Sequence, residues 1–409
     1  MIKRATAILI FSVLTAGILA SCGTSSDIST DTMGSDSVLS EPVDITKGAT
    51  EKMLERSILF EGDTSRIAEK INNALEKPKK LTSICFLGDS ITQGSSAQDY
   101  QNQYVNRFHK WWKENFGPYV EVTNAGIGAT ESYLGVHRVQ RDVLNLKPDI
   151  IFIEFINDSN NEFYKTSMDS LVRKCLSQEN NPAVIMIEMT MDNGTSPQEV
   201  HSEIAEAYGV PVISYHDAVM PEIKSGSIKW SDISPDNVHP NDIGHGILAE
   251  MLENFIDRIK DKLSSIDKVS KPFDAQSPTG DKYRDARLAD RTSDEVKVID
   301  EGSFNEAASF QKFNAGWATV SGGSAEFEME FKNLGALYLK TTDGESADVT
   351  ITVDGEEVMP ISGNFPDGWG DYLKSDEIYV SDNKAKHKVK ISVDEGDAKN
   401  FQILAWLLS

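Results

Sequence analysis

An apolar run from Thr82 to Leu87 breaks off into Gly88-Asp89-Ser90-Ile91-Thr92-Gln93-Gly94. A short apolar run bounded by turn formers reads as a buried strand. A serine at the C-terminal tip of a buried parallel strand stands where open α/β sheets place their ligands. Glycine on either side lets the chain turn sharply and lets another group approach closely. The plainer reading makes Ser90 the N-cap of an ordinary strand-to-helix turn. The tripeptide alone does not separate the two; three later blocks do.

The second block, Asn124-Ala125-Gly126-Ile127-Gly128-Ala129-Thr130, follows a strand expected near Tyr119 to Val122. The third, Asn157-Asp158, follows the apolar run Ile150 to Phe155. The fourth, Asp236-Asn237-Val238-His239-Pro240, precedes a long amphipathic helix. A serine hydroxyl is a weak nucleophile and needs an adjacent base. His239 is the candidate base, and Asp236, three residues earlier, is the candidate that orients its ring. An oxyanion would need preorganised donors. The candidates are the Ser90 N–H, a glycine N–H of the second block and the Asn157 amide.

In these four blocks, over roughly Glu55 to Lys260, the chain resembles the SGNH (GDSL-type) hydrolases. The stretch Arg56 to Asp63, with the Arg66 helix, resembles the lead-in of one bacterial branch. The resemblance implies a catalytic Ser90, His239 and Asp236, and an oxyanion hole of Ser90, Gly128 and Asn157. Gly128 is preferred because it stands nearer Thr130; a one-residue shift would give Gly126 the role. The usual Gly-x-Asn-Asp is here Phe155-Ile156-Asn157-Asp158, so Phe155 is expected to narrow the pocket floor.

Lys3, Arg4 and the apolar stretch Ala5 to Ala20 read as a secretory signal, too short for a spanning helix. Leu19-Ala20-Ser21-Cys22 resembles a bacterial lipobox, which implies a lipidated Cys22 and an extracytoplasmic, membrane-anchored lipoprotein of the bacterial cell envelope. An ordinary signal with an incidental cysteine is the simpler alternative. Cys85 reads as a small core hydrophobe, and no bridge to Cys175 is expected. The net charge is −24, two units more negative once Lys3 and Arg4 leave with the signal. Such acidity argues against nucleic acid and strongly acidic polymers as partners. It fits a neutral glycan equally with mere solubility.

The expected organisation is a signal over residues 1–21, a disordered tether over 22–50, a hydrolase domain over 51–262, a linker or wrapping segment over 263–290 and a β domain over 291–409. Apolar runs alternating with helical patterns argue a three-layer α/β/α parallel sheet, flavodoxin-like in the family it resembles. Period-two runs such as Ala325 to Phe331 and Asp348 to Val353 argue an all-β sandwich. It resembles the jelly-roll modules of some SGNH carbohydrate esterases. All four blocks precede Lys260, so this sandwich is expected to be accessory to the chemistry.

Tyr104, Phe108, Trp111 and Trp112 share helical spacing and are read as core rather than a sugar platform. Trp230 reads equally as platform or anchor; Trp317 and Trp369 are weaker platform candidates, and Glu154 has no assigned role. His216-Asp217 is not expected to act as a dyad, His245 is expected to pack or hydrogen-bond, and His109, His137, His201 and His387 show no partner pattern. No His-Glu-x-x-His, paired Cys-x-x-Cys or complete nucleotide fingerprint is present, so neither metal nor cofactor is expected. The function expected is a lipid-anchored serine esterase removing O-acyl, chiefly O-acetyl, groups from poly- or oligosaccharides or small esters. The alternatives are a lipase or lysophospholipase of the same family, and a non-catalytic glycan-binding surface lipoprotein.

Overall fold

The computed structural model describes residues 43–266, 273–393, 396 and 398–409. The expected signal, Cys22 and the tether up to residue 42 lie outside the described residues.

The first domain runs α1 (Glu51–Arg56), β1 (Ile58–Phe60), α2 (Ser65–Glu76), β2 (Thr82–Gly88), α3 (Ser90–Gln93), α4 (Tyr104–Phe116), β3 (Val120–Gly126), α5 (Ser132–Asp142), β4 (Ile150–Glu154), α6 (Glu162–Leu176), β5 (Ala183–Glu188), α7 (Gln198–Tyr208), β6 (Val212–Ser214), α8 (Tyr215–Ser225), α9 (Trp230–Ile233) and α10 (Asp242–Asp261). Its strands lie in the order β1-β6-β5-β4-β2-β3. All pairs are parallel except β1 with β6. β4 and β5 are buried along their whole length, as strands covered on both faces must be. Alternation in β2 sends Ile84 and Phe86 under α2, α4 and α10, and Cys85 and Leu87 under α5 and α6. Tyr104, Phe108 and Trp112 are buried on the first of these faces, so the α4 aromatics are core. Cys85 and Cys175 are buried free thiols, pushed up to about 12 by burial.

The second domain comprises β7 (Arg287–Ala289), β8 (Lys297–Asp300), β9 (Glu306–Phe310), β10 (Phe313–Thr319), β11 (Ser324–Lys340), β12 (Asp348–Val353), β13 (Glu356–Glu357), β14 (Ile361–Ser362), β15 (Tyr372–Val393) and β16 (Phe401–Leu408). Every ladder between these strands is antiparallel. The long strands β11 and β15 pair along their length, with register shifts near Phe331 and Leu334. Such bulges bend a strand. Trp317, Phe327, Ile351, Val389 and Trp406 share one core of this domain. β7 pairs with β16, so this sheet begins at residue 287, inside the segment expected as a linker.

The outer face of this sheet is not free. Tyr283, Phe313, Leu337, Leu373 and Leu407 share one core with Tyr133, Leu134 and Leu171 of the first domain. The Tyr133 and Tyr283 rings meet edge to face at 5.4 Å. Gly335 leaves room for the Tyr133 hydroxyl, which would stand 2.2 Å from any added Cβ. The second domain is therefore packed on the first, not tethered to it.

Candidate active site

β2 delivers Gly88 to the sheet edge, where a Cβ would stand 2.1 Å from Thr92 Oγ1. Asp89 N-caps α3 by accepting the Ile91 N–H at 3.0 Å. Ser90 opens α3, and Gly94, at φ 101°, closes it. Arg138, wholly buried on α5, donates to the Gly88 and Ala125 carbonyls at 2.8 and 2.7 Å. It thereby ties together the ends of β2 and β3. Nothing in the sequence pattern singled it out.

Ser90 Oγ lies 2.8 Å from His239 Nε2, and His239 Nδ1 lies 2.8 Å from Asp236 Oδ2. The other Asp236 oxygen accepts the N–H groups of Val238 and His239 at 2.8 and 2.7 Å. Partial burial works against the Asp236 anion, but these donors and the His239 ring hold its carboxyl below the usual range. With Nδ1–H on Asp236, Nε2 is left to accept the serine proton. The Trp230 indole donates to the Asp236 carbonyl at 2.5 Å, and Ser234 Oγ stands 2.6 Å from the His239 carbonyl. Trp230 is thus an anchor of this loop.

Asn157 faces Ser90 across the cleft. Its Nδ2 donates to Asp89 Oδ2 at 2.9 Å and to the Thr130 carbonyl at 3.2 Å. Gly128 lines the cleft. Gly126 instead packs on α3, where an added Cβ would meet Gln93 N at 2.2 Å. Glu154 lies beneath this layer. It accepts the Thr92 hydroxyl at 2.8 Å and the Ile156 N–H at 3.0 Å. Burial, and then the neighbouring Glu154 carboxylate, raise Asp89 well above the usual carboxylate range.

Phe155 does not narrow the cleft. Its ring is buried beneath α5, with its tip 2.7 Å from where a Cβ on Gly135 would lie. Gly135 on the helix leaves the space that the phenylalanine ring fills. His201 gains partners that the sequence hid. Its two nitrogens stand 3.1 Å from Asp158 and Glu188. Burial alone would lower it, but the two carboxylates push it up to about 10. Asp158 also accepts the Ser132 N–H at 2.8 Å, joining the third block to the start of α5. His216 does bond Asp217, at 2.7 Å, away from the cleft. His245 is stacked on Tyr104 and lowered to about 4 by burial. Trp317 is core, whereas Trp369 is 71% exposed at the cleft mouth.

The cleft encloses about 660 Å³ and is built by both domains. The first supplies Ser90, Gly128, Asn157, Met191, Asp236 and His239; the second supplies Gln311, Trp369, Asp371 and Tyr372. Among the described residues no cluster of three or more His, Cys, Asp or Glu could hold a metal ion.

This fold and serine–histidine–carboxylate geometry define a serine hydrolase on a three-layer α/β/α sheet. Residues 86–247 match the model of the GDSL-like lipase/acylhydrolase family. The first domain is accordingly a GDSL-like (SGNH) domain, and the protein is a serine carboxylic-ester hydrolase. A two-domain esterase active on acetylated mannans is similar at 29% identity and a TM-score of 0.78, over 87% of this chain and 98% of that one. The same holds for that esterase crystallised with mannopentaose, over 97% of that chain. An acetylxylan esterase from Geobacillus stearothermophilus matches at 20% identity and a TM-score of 0.35, over 44% of this chain and 96% of that one. No curated protein sequence matches the chain.

Proposed function

We propose that the enzyme removes O-acetyl groups from a neutral poly- or oligosaccharide, with acetylated mannan the first candidate, and acts outside the cytoplasm on a lipid anchor at Cys22. The observation that carries the glycan reading is similarity along both domains to an esterase active on acetylated mannans. The cleft agrees with it: Trp369 and Tyr372, with ring centroids 5.1 Å apart, offer an exposed aromatic surface beside Ser90. Aromatic faces suit the apolar face of a pyranose ring.

Ser90 Oγ attacks the acetyl carbonyl carbon as His239 Nε2 takes the hydroxyl proton. Asp236 stabilises the imidazolium. The oxyanion is held by the N–H groups of Ser90 and Gly128 and by the Asn157 amide. Collapse breaks the ester bond, and the imidazolium protonates the departing sugar alkoxide. Water, deprotonated by His239, then attacks the acetyl-enzyme, and acetate leaves.

The test is acetate release from O-acetylated mannan, together with an acyl-chain-length profile on p-nitrophenyl esters. Acetyl should exceed octanoyl by at least about tenfold, roughly 1.4 kcal/mol in barrier. Release from mannan should fall when Trp369 becomes alanine. Absence of acetate release, with octanoyl preferred, would instead favour a lipase. The anchor is tested separately: Cys22→Ala should shift the protein from the membrane to the soluble fraction, and unchanged fractionation would remove the lipoprotein reading.

A further inference from the structure

The loop that carries Gly128 is held from two sides. Ala129 sits at φ 58°, a left-handed conformation costly for a residue with a Cβ. Such a conformation persists only where its surroundings over-determine it. On the first-domain side, Thr130 Oγ1 donates to the Ile127 carbonyl at 2.7 Å, the Thr130 carbonyl accepts Asn157 Nδ2, and the Ser132 N–H is bound to Asp158. On the other side stands Glu131, whose side chain turns to the second domain. Its carboxylate accepts the Ser375 hydroxyl at 3.0 Å and lies 3.5 Å from Lys374 Nζ. Both partners belong to β15, the strand whose first residue, Tyr372, lines the cleft. Lys374 is itself fixed by Asp376, 3.4 Å away, which accepts the Tyr338 hydroxyl. The Glu131 carboxyl is almost wholly buried, and burial pushes it up to about 7 against the pull of Lys374. A buried carboxylate is costly without partners, and these are its only hydrogen-bonding side-chain partners among the described residues.

We propose that Glu131 is a positioning residue through which β15 fixes the oxyanion loop, so that the second domain governs turnover even of an ester too small to reach its aromatic surface. The inference rests on the serine-esterase reading of the cleft and on Gly128 as an oxyanion donor. The residue touches no substrate; it acts by holding Ala129 and Gly128 where the developing charge arises. Misplacement by a fraction of an ångström is enough to matter at such a donor.

The test uses the mature chain with p-nitrophenyl acetate as the probe and compares wild type, Glu131→Gln, Ser375→Ala, Ser375→Thr and the Glu131→Gln/Ser375→Ala double variant. Glu131→Gln and Ser375→Ala should each lower kcat about 10- to 100-fold with KM changed less than about threefold. Ser375→Thr, which keeps the hydroxyl, should recover most of the loss. The double variant should be no worse than the poorer single one, because Glu131→Gln weakens, and Ser375→Ala removes, the same bond. A purely structural role would lower the melting temperature while leaving kcat of the folded protein unaltered, and that result overturns the proposal. So would losses that multiply or that Ser375→Thr does not restore. If Glu131→Gln does not fold, Ser375→Ala, which removes a single oxygen from the second domain, carries the comparison. Ser90→Ala separates the two levels. Turnover surviving that change removes the esterase reading, whereas a dead Ser90→Ala beside a fully active Glu131→Gln removes only this inference.

Discussion

Phe155 and Gly135 occupy one space: the phenylalanine tip lies 2.7 Å from where a Cβ on the helix glycine would be. The ring therefore belongs to the core under α5 and sets stability rather than acyl-chain choice. Gly135→Ala should cost about 1–3 kcal/mol by overpacking, and Phe155→Ala about 3–5 kcal/mol by leaving a cavity. Urea denaturation gives both values. The acyl-chain profile of folded Phe155→Ala should match that of wild type; a shift towards longer chains would return the ring to the cleft.

The shared core between the domains bears on truncation. A chain ended at residue 262 would bare Tyr133, Leu134 and Leu171, and would lose Trp369, Asp371 and Tyr372 from the cleft. Exposed apolar area on that scale favours aggregation. Residues 43–262 expressed alone should be insoluble or molten, with little near-ultraviolet circular dichroism. A soluble, cooperatively melting fragment with full acetyl-ester turnover would show that the second domain is dispensable. The order of the four blocks along the chain had pointed to such an accessory role, and the packing argues against it.

What the sequence made legible was local. Ser90, Asp236 and His239 stand beside strand ends and loop motifs that a short window exposes, and the alternation of apolar runs with helical periods gave the layered sheet. What it hid depends on distant pairing. Glu131 meets Ser375 across 244 residues, and no periodicity links them. His201 looked partnerless because Asp158 and Glu188 reach it only once α7 packs beside β4 and β5. Trp369 and Trp317 carry the same propensity, yet Trp317 is buried on β10 whereas Trp369 is exposed in the loop between β14 and β15, a difference that residue type alone does not reveal. Glu154 has no role legible in the sequence because its place under Thr92 depends on β2 and β4 lying side by side.

His201 gives a pH signature. Its folded value of about 10 lies above the ordinary 6.5. Its stabilising contribution is therefore complete below about pH 6.5 and is lost as pH rises through about 10. His201→Gln leaves Asp158 and Glu188 without a cation and should cost about 3–5 kcal/mol at neutral pH. Melting temperatures between pH 6 and 10 should fall more steeply for wild type than for the variant. Parallel curves would mean that His201 is neutral when folded.

Turnover of a single acetyl ester by Ser90→Ala, with folding verified by circular dichroism, tests the central claim most directly. In the proposed mechanism the hydroxyl 2.8 Å from His239 Nε2 makes the attack, so kcat should fall by about 10⁶-fold. His239→Ala should fall as far, and the Ser90→Ala/His239→Ala double variant no further. Asn157→Ala should lose about 10²–10³-fold if its amide holds the oxyanion. A folded Ser90→Ala enzyme with near-normal kcat would contradict the mechanism outright.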